Sequence, residues 1–154
     1  MQRATGEMHT VRPWPELPTG RITSLPSLES WCFTSSCYGL LLQTCQALAE
    51  GEKKVIYVSG EESPSQIKLR CSRLGLSGKG IHLLSESDVD SVLVYLPKEE
   101  LALVIIDSIQ TLYTQEVSSH PGSVAQVREC TRRLMNWAKS EGVPVLLSGH
   151  VTKD

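Results

Sequence analysis

The stretch "LALVIIDSIQ", residues 101–110, decides the fold of this chain, because an uninterrupted apolar run stops at an acid, Asp107. A short continuous apolar run of this kind is typical of a strand that is buried on both faces. Such strands occur in parallel sheets, where helices cover the two faces. The stretch therefore predicts a central parallel strand at 101–106 with a carboxylate at its carboxyl end.

Helical and strand patterns alternate on both sides of this strand, from Gly39 to the last residue. The predicted helices are 39–51, 63–75, 87–96 and 122–142, and the predicted strands are 54–59, 80–85, 101–106 and 143–150. Ser63 with Gln66, and Ser123 with Gln126, have the spacing of capping boxes at helix starts. The alternation predicts an α/β fold with a mainly parallel sheet and helices on both faces.

The first 38 residues have a different character. They hold four of the eight prolines and two of the three tryptophans, and they show no sustained periodicity. Such a composition offers little apolar face to bury. We expect an irregular, loosely attached segment at 1–38 and one folded domain at 39–154, a division that a chain of 154 residues allows.

Composition narrows the functional class. The net charge of −2 gives no sign of a basic surface over the whole chain, so nucleic-acid binding would need a local patch. Five scattered cysteines without a Cys-x-x-Cys pair disfavour a disulfide framework and a zinc site, and they favour a reducing compartment. No apolar stretch approaches ~20 residues and no secretory signal is seen. We expect a cytoplasmic protein without a membrane partner.

Polar groups follow three of the predicted strands. "SGEES" supplies Glu61 and Glu62, the central strand ends in Asp107 and Ser108, and "SGH" supplies His150. The carboxyl ends of parallel strands meet at one edge, where α/β proteins bind ligands. An acid after an apolar strand is the Walker B pattern, which holds Mg²⁺ directly or through water, and a nearby glutamate can polarise an attacking water. A neutral polar residue such as His150 can sense a terminal phosphate. For any one of these strand ends, ordinary solvation is the alternative.

Several segments together resemble one known family. "YVSGEES", "QIKLR", "VIIDSIQTLY", "PGSVAQVRECTRRLM" and "GHVTK" are similar to the bacterial RadA (Sms) family, RecA-like P-loop ATPases of recombinational DNA repair. The resemblance runs from about Gly39 to Asp154. It implies a RecA-like three-layer fold, here a partial core. It also implies ATP and Mg²⁺ as cofactors, and branch migration of recombination intermediates. The implied partners are single-stranded or branched DNA, a RecA-type recombinase and further copies in a hexameric ring.

The resemblance also assigns roles at the sheet edge. Asp107 would be the Walker B acid that holds Mg²⁺ through water, and Glu61 would be the catalytic carboxylate, with Glu62 beside it. Ser108 and His150 would contact the nucleotide, His150 at the position that reports on the γ-phosphate.

The segment Thr114–Gly122 would be the first DNA-binding loop, by the same resemblance. Its candidate contacts are Ser118, Ser119, His120 and Gly122. The segment contains no lysine or arginine, so a DNA contact there would rest on backbone and hydroxyl groups.

The chain departs from the family before its first helix. The family carries a glycine-rich loop ending in Gly-Lys-Ser/Thr there, whereas residues 31–43 read "WCFTSSCYGLLLQ". The Gly78-Lys79 pair leads into a strand and is predicted to be a turn. Without a lysine and a backbone cradle for the phosphates, we expect weak ATP binding.

The departure leaves two functions open. One is an ATP-dependent DNA repair motor, and the other is a non-catalytic RecA-like module that acts only through DNA or subunit contacts. The family's zinc module, its Lys-Asn-Arg-Phe-Gly motif and its Lon-like domain are also not found in the sequence. A reading-frame disturbance upstream of Gly39 would explain the abrupt change. Translating the coding DNA in all frames tests this hypothesis.

Overall fold

The structure is a computed structural model that describes residues 12–13, 36–49, 54–97 and 101–150. The strands are β1 (Arg12–Pro13), β2 (Lys54–Ser59), β3 (Ile81–Leu84), β4 (Leu101–Asp107) and β5 (Val145–Leu147). The helices are α1 (Ser36–Ala49), α2 (Pro64–Arg73), α3 (Val89–Tyr95) and α4 (Val124–Glu141), with a 3₁₀ turn at Ile109–Thr111. None of the helices described is long and apolar enough to cross a membrane.

The strands form one sheet in the order β1-β3-β2-β4-β5. β3, β2, β4 and β5 run parallel, and β1 pairs antiparallel with β3. The predicted α/β class with a mainly parallel sheet is thereby confirmed. Of the predicted irregular segment 1–38, only Arg12–Pro13 and the start of α1 at Ser36 lie within the described residues, and the rest lies outside them.

The core is divided between the two faces of the sheet, because successive strand residues point to opposite sides. On one face, strand residues pack with α3 and α4, and the buried residues include Ile56, Val58, Val104, Ile106, Val92, Cys130 and Leu134. On the other face, α1 and α2 cover a second cluster that includes Val55, Tyr57, Leu103, Ile105, Leu42, Cys45, Ile67 and Cys71. The two clusters make the sheet the middle of three layers.

The helix starts follow the predicted caps only in part. Ser63 and Gln66 form both hydrogen bonds of a capping box at α2. At α4 the Ser123 side chain accepts from the Gln126 N–H, at 3.3 Å. The reciprocal bond is not among those of the described residues, because the Gln126 side chain is buried and bonded elsewhere. The predicted box at Ser123 is therefore wrong in its second half.

The cysteines described on three helices are small core residues. Cys45, Cys71 and Cys130 are each fully buried and not disulfide-bonded. Burial raises the pKa of the Cys45 thiol to about 12, and that of Cys71 and Cys130 to about 11. These thiols stay protonated at neutral pH and are poor nucleophiles.

Gly60, directly after β2, allows the closest approach between the strand end and the 3₁₀ turn. A Cβ atom there would lie 2.5 Å from Thr111 Oγ1 and 3.0 Å from Ser87 Oγ. We therefore expect Gly60→Ala to lower the free energy of unfolding by about 1–3 kcal/mol, because the neighbours must shift. Urea denaturation measures the change.

Gly39→Ala is the matched control. A Cβ at this helical position would meet only Leu74, at 3.9 Å. Alanine there should raise the free energy of unfolding by about 0.5–1 kcal/mol. Equal stability changes at the two glycines would contradict the close approach at Gly60.

Candidate functional site

Asp107 ends β4 as a buried carboxylate, with 3% of its surface exposed. The Tyr57 phenol from β2 donates to its Oδ2 atom. The Ser148 hydroxyl, just after β5, donates to its Oδ1 atom at 2.6 Å. Burial and the hydrogen bond to Asp107 raise the pKa of Tyr57, so the phenol keeps its proton and remains a donor. Hydroxyl groups from both sides therefore fix the orientation of the carboxylate.

Ser108 connects the end of β4 with the end of β2. Its buried hydroxyl donates to Glu61 Oε1 at 3.1 Å, and its carbonyl accepts from Thr111 Oγ1 at 2.7 Å. The peptide bond between Asp107 and Ser108 is cis. The parallel register pairs Ser59 with Asp107, which brings the residues after both strands to the same edge. The structure thus places Glu61, Asp107 and Ser108 together.

The neighbouring glutamates at the end of β2 have different surroundings. Glu61 is exposed to solvent, whereas Glu62 is half-buried and forms an ion pair with Arg70 of α2. The Glu62 N–H also donates to Ser59 Oγ at 3.1 Å. Burial raises the pKa of the Glu62 carboxyl, although the Arg70 cation opposes the shift. Of the two, Glu61 has the carboxylate that water can reach freely.

The segment after β5 is bonded to the end of β4. The Ser148 N–H donates to the Ile106 carbonyl at 2.9 Å, and the Ile109 N–H donates to the Ser148 carbonyl at 3.0 Å. Gln110 Nε2 donates to the His150 carbonyl at 2.8 Å. The exposed His150 thus lies at the predicted edge, and the buried carboxylate is contacted by Ser148, two residues earlier.

The loop 114–122 is organised by one buried side chain, Gln126 of α4, which is 2% exposed. Its Oε1 atom accepts from the Thr114 N–H at 2.9 Å. Its Nε2 atom donates toward the carbonyls of Thr114, Val117 and Ser119, at 3.1, 2.8 and 3.0 Å. The loop is therefore wrapped around an amide group from the helix that follows it.

The predicted DNA contacts occupy the outer part of this loop. Ser118, His120 and Gly122 are exposed. Ser119 is half-buried, and its hydroxyl is 2.8 Å from the Ser123 hydroxyl, where either oxygen can donate. Three of the four candidates therefore face solvent, and Ser119 is turned toward the start of α4.

Arg133 of α4 ties the loop to two helices. Its guanidinium contacts Asp90 of α3 and Glu116 of the loop, and its Nε atom lies 3.1 Å from Glu129 Oε1 on its own helix. The Thr114 hydroxyl also donates to Asp90, at 2.9 Å. One cation is thus shared by three carboxylates from three elements.

Several residues of the site have no clear signal in the sequence. Tyr57 fits the apolar pattern of β2, so its hydroxyl contact could be found only from the register of β2 against β4. Ser148 stands two residues before the predicted His150, and Gln126 has the spacing of a capping residue. Arg70 and Gln110 lie within the segments "QIKLR" and "IDSIQT" but carried no prediction.

The fold and the site define an α/β protein with acids gathered at the carboxyl edge of a parallel sheet. A family model described as "AAA domain" matches residues 30–154. The chain is 46% identical over 115 residues to "DNA repair protein RadA" of Bacillus subtilis (strain 168). It is 48% identical over 114 residues to the protein of that name from Halalkalibacterium halodurans. The chain therefore belongs to the AAA domain family and is RadA-like within it.

The matches cover a large share of this chain but a small share of each relative. They include 75% and 74% of this chain but 25% of each relative, so the chain spans about a quarter of the length of the curated relatives it matches. The family resemblance drawn from the motifs is thereby confirmed. One solved structure, SulA from Pseudomonas aeruginosa, is similar with a TM-score of 0.44 and 17% identity, over 77% of this chain and 92% of that one. This likeness is too low to support a functional conclusion.

Tyr57→Phe tests the hydroxyl contacts of Asp107. The change removes the donor to Oδ2 and leaves a buried carboxylate oxygen without that partner. We expect the free energy of unfolding in urea to fall by about 1–3 kcal/mol.

Tyr95→Phe supplies the comparison. Tyr95 is half-buried, and its hydroxyl has no hydrogen bond within the part of the chain that the structure describes. Its change should stay within about 0.5 kcal/mol. Equal losses in the two variants would count against a stabilising contact at Asp107.

Proposed function

We propose that this chain forms the Mg²⁺- and water-handling part of a RadA-like, ATP-dependent DNA repair protein. The observation that carries the proposal is the hydrogen bond from Ser108 to Glu61, next to the buried Asp107. This contact puts an exposed carboxylate one residue away from a carboxylate whose orientation is fixed. An ATPase needs such a pair, one group for the metal and one for the attacking water.

Asp107 suits the outer shell of a magnesium ion. Each of its oxygens accepts one hydrogen bond and keeps a further acceptor site for a water molecule. Mg²⁺ keeps several waters and needs only one or two carboxylates, which fits this edge better than a cage of protein ligands. Bound there, the ion would neutralise charge on the phosphates. The role proposed for Asp107 is to orient the waters of that ion.

Glu61 is the proposed base of the site. It is exposed, and Ser108 fixes one of its oxygens, so the other oxygen can accept from an attacking water. Glu62 pairs with Arg70 and is therefore assigned to holding α2 against the strand end. His150 is the proposed phosphate sensor, because its backbone is joined to the end of β4 through Gln110.

The chain has these acids but lacks the glycine-rich, lysine-containing loop with which the family binds the phosphates of ATP. Residues 31–43 contain no lysine and no glycine run, so we propose that this chain holds ATP weakly. In the whole protein, the substrates would be recombination intermediates that undergo branch migration on single-stranded or branched DNA. A RecA-type recombinase and a hexameric ring of copies are the proposed partners, in the cytoplasm.

The second candidate is a non-catalytic RecA-like module. The lack of a lysine in 31–43 favours it, because a loop such as 114–122 could contact DNA without any hydrolysis. The two candidates differ in whether a restored phosphate-binding loop also restores ATP hydrolysis. Hydrolysis measurements therefore separate them.

The unmodified chain should hydrolyse ATP at or near background, with Mg²⁺ and with or without single-stranded DNA. The water and the metal both need a fixed γ-phosphate, and misplacement by ~1 Å costs ~100-fold in rate. Replacing residues 31–39 with a glycine-rich loop ending in Gly-Lys-Ser should first raise the affinity for a fluorescent ATP analogue. Turnover should return only if the neighbouring strand and the subunit ring also form.

A matched pair of variants then identifies the base. Where turnover returns, Glu61→Gln should lower kcat by about 100-fold or more without loss of nucleotide affinity. Glu62→Gln, on the next residue, should retain most of the turnover. Robust DNA-stimulated ATP hydrolysis by the unmodified chain, abolished by Asp107→Ala, would contradict the predicted weak binding of ATP. A nucleotide-binding variant with no turnover in its assembled form would favour the non-catalytic module.

A further inference from the structure

The loop 114–122 presents an electrostatic difficulty. It contains no lysine or arginine, although it is proposed to meet a polyanion. The arginine that contacts it, Arg133, is already shared by Asp90, Glu116 and Glu129. Attraction for phosphate must therefore come from groups other than these side chains.

The carbonyl groups of the loop are drawn to one point. Gln126 Nε2 lies within 3.1 Å of the carbonyl oxygens of Thr114, Val117 and Ser119. The amide has two hydrogens for these three acceptors, so at least one bond is shared. Three negative ends of backbone dipoles are thus neutralised beneath the loop surface, because Gln126 is buried.

The N–H groups of the same loop are arranged differently. Within residues 101–150, the N–H groups of Ser118, Ser119 and His120 have no acceptor. Ser118 and His120 are exposed. Successive backbone N–H groups carry partial positive charge, and where a turn brings them together they form a concavity that binds anions. The polarity of the loop thus favours phosphate without any cationic side chain.

We propose that Gln126 is a positioning residue, which holds the loop with its carbonyls inward so that the N–H groups of Ser118–His120 contact phosphate oxygens of single-stranded DNA. This inference rests on the proposed DNA contact of the loop and names its chemistry. Contacts of this kind read the backbone and not the bases, so binding is independent of sequence. At the start of α4 only the Gln126 N–H takes part in capping, so the Gln126 side chain is available to hold the loop.

Gln126→Ala in the full chain tests the inference with two readouts. A glutamate-specific protease reports on loop order through cleavage after Glu116, and fluorescence anisotropy with a thirty-nucleotide oligo-dT reports on DNA affinity. We expect cleavage to accelerate by about tenfold or more, because the loop opens locally. We expect the affinity to fall by about tenfold. Gln126→Glu should do the same, since a carboxylate would face three carbonyl oxygens.

Two controls separate positioning from general damage. Val124→Ala changes an exposed residue at the start of the same helix as Gln126, outside the loop, and should leave both readouts unchanged. Ile67→Ala opens the core on the opposite face of the sheet. Measured where its melting temperature equals that of Gln126→Ala, it should leave loop cleavage and DNA affinity unchanged as well. The affinity ratio of the unmodified chain to Gln126→Ala should stay constant between about 50 and 200 mM salt, since no cation is lost.

The outcomes that overturn the inference are distinct. Unchanged cleavage after Glu116 in Gln126→Ala overturns the positioning role, whatever the DNA affinity. Faster cleavage with unchanged DNA affinity overturns the phosphate contact. If the unmodified chain does not bind oligo-dT, the proposed DNA contact fails and this inference fails with it. In that case cleavage after Glu116 still accelerates in Gln126→Ala, so a failure of the DNA contact is distinguished from a failure of the positioning role.

Discussion

The burial of one carboxylate, Asp107, is the constraint on which the edge of the sheet depends. A carboxylate with so little exposure loses its hydration and needs donors from the protein. Tyr57 and Ser148 supply them from two different neighbours of β4. A shift of β2 by one residue would turn Tyr57 to the other face. The carboxylate therefore fixes the register of β2, and with it the position of Glu61.

Much of the fold could be predicted from the sequence, because buried parallel strands leave continuous apolar runs. β2 has the predicted bounds of 54–59, whereas β5 is shorter than the predicted 143–150. The Ser148 N–H still donates to Ile106 of β4, but the carbonyls of Ser148 and His150 accept from Ile109 and Gln110 in the turn that follows β4, so the strand ends there. The contact of Ser148 with Asp107 joins positions that are 41 residues apart. Only the register of the strands reveals such a pair.

The prediction failed where one residue type can serve two purposes. Gln126 has the spacing of a capping residue, yet its amide satisfies backbone groups of the preceding loop. A capping bond on an exposed helix start adds little, whereas an unsatisfied buried amide or carbonyl is costly. Burial therefore decides between the two uses, and burial at this position depends on the whole loop. The adjacent Glu61 and Glu62 differ in the same way, since Glu62 pairs with Arg70 whereas Glu61 accepts a hydrogen bond from Ser108.

The three-way ion pair of Arg133 has a mechanical consequence. A pull on Glu116 is carried through the guanidinium into α3 and α4 together, so displacing the loop in the unmodified chain also loads both helices. α4 has 18 residues, which makes it a rod about 27 Å long. Its far end leads through the left-handed Gly142 into the buried Val143 and on to β5. The loop and the strand that precedes Ser148 are therefore connected through one continuous helix.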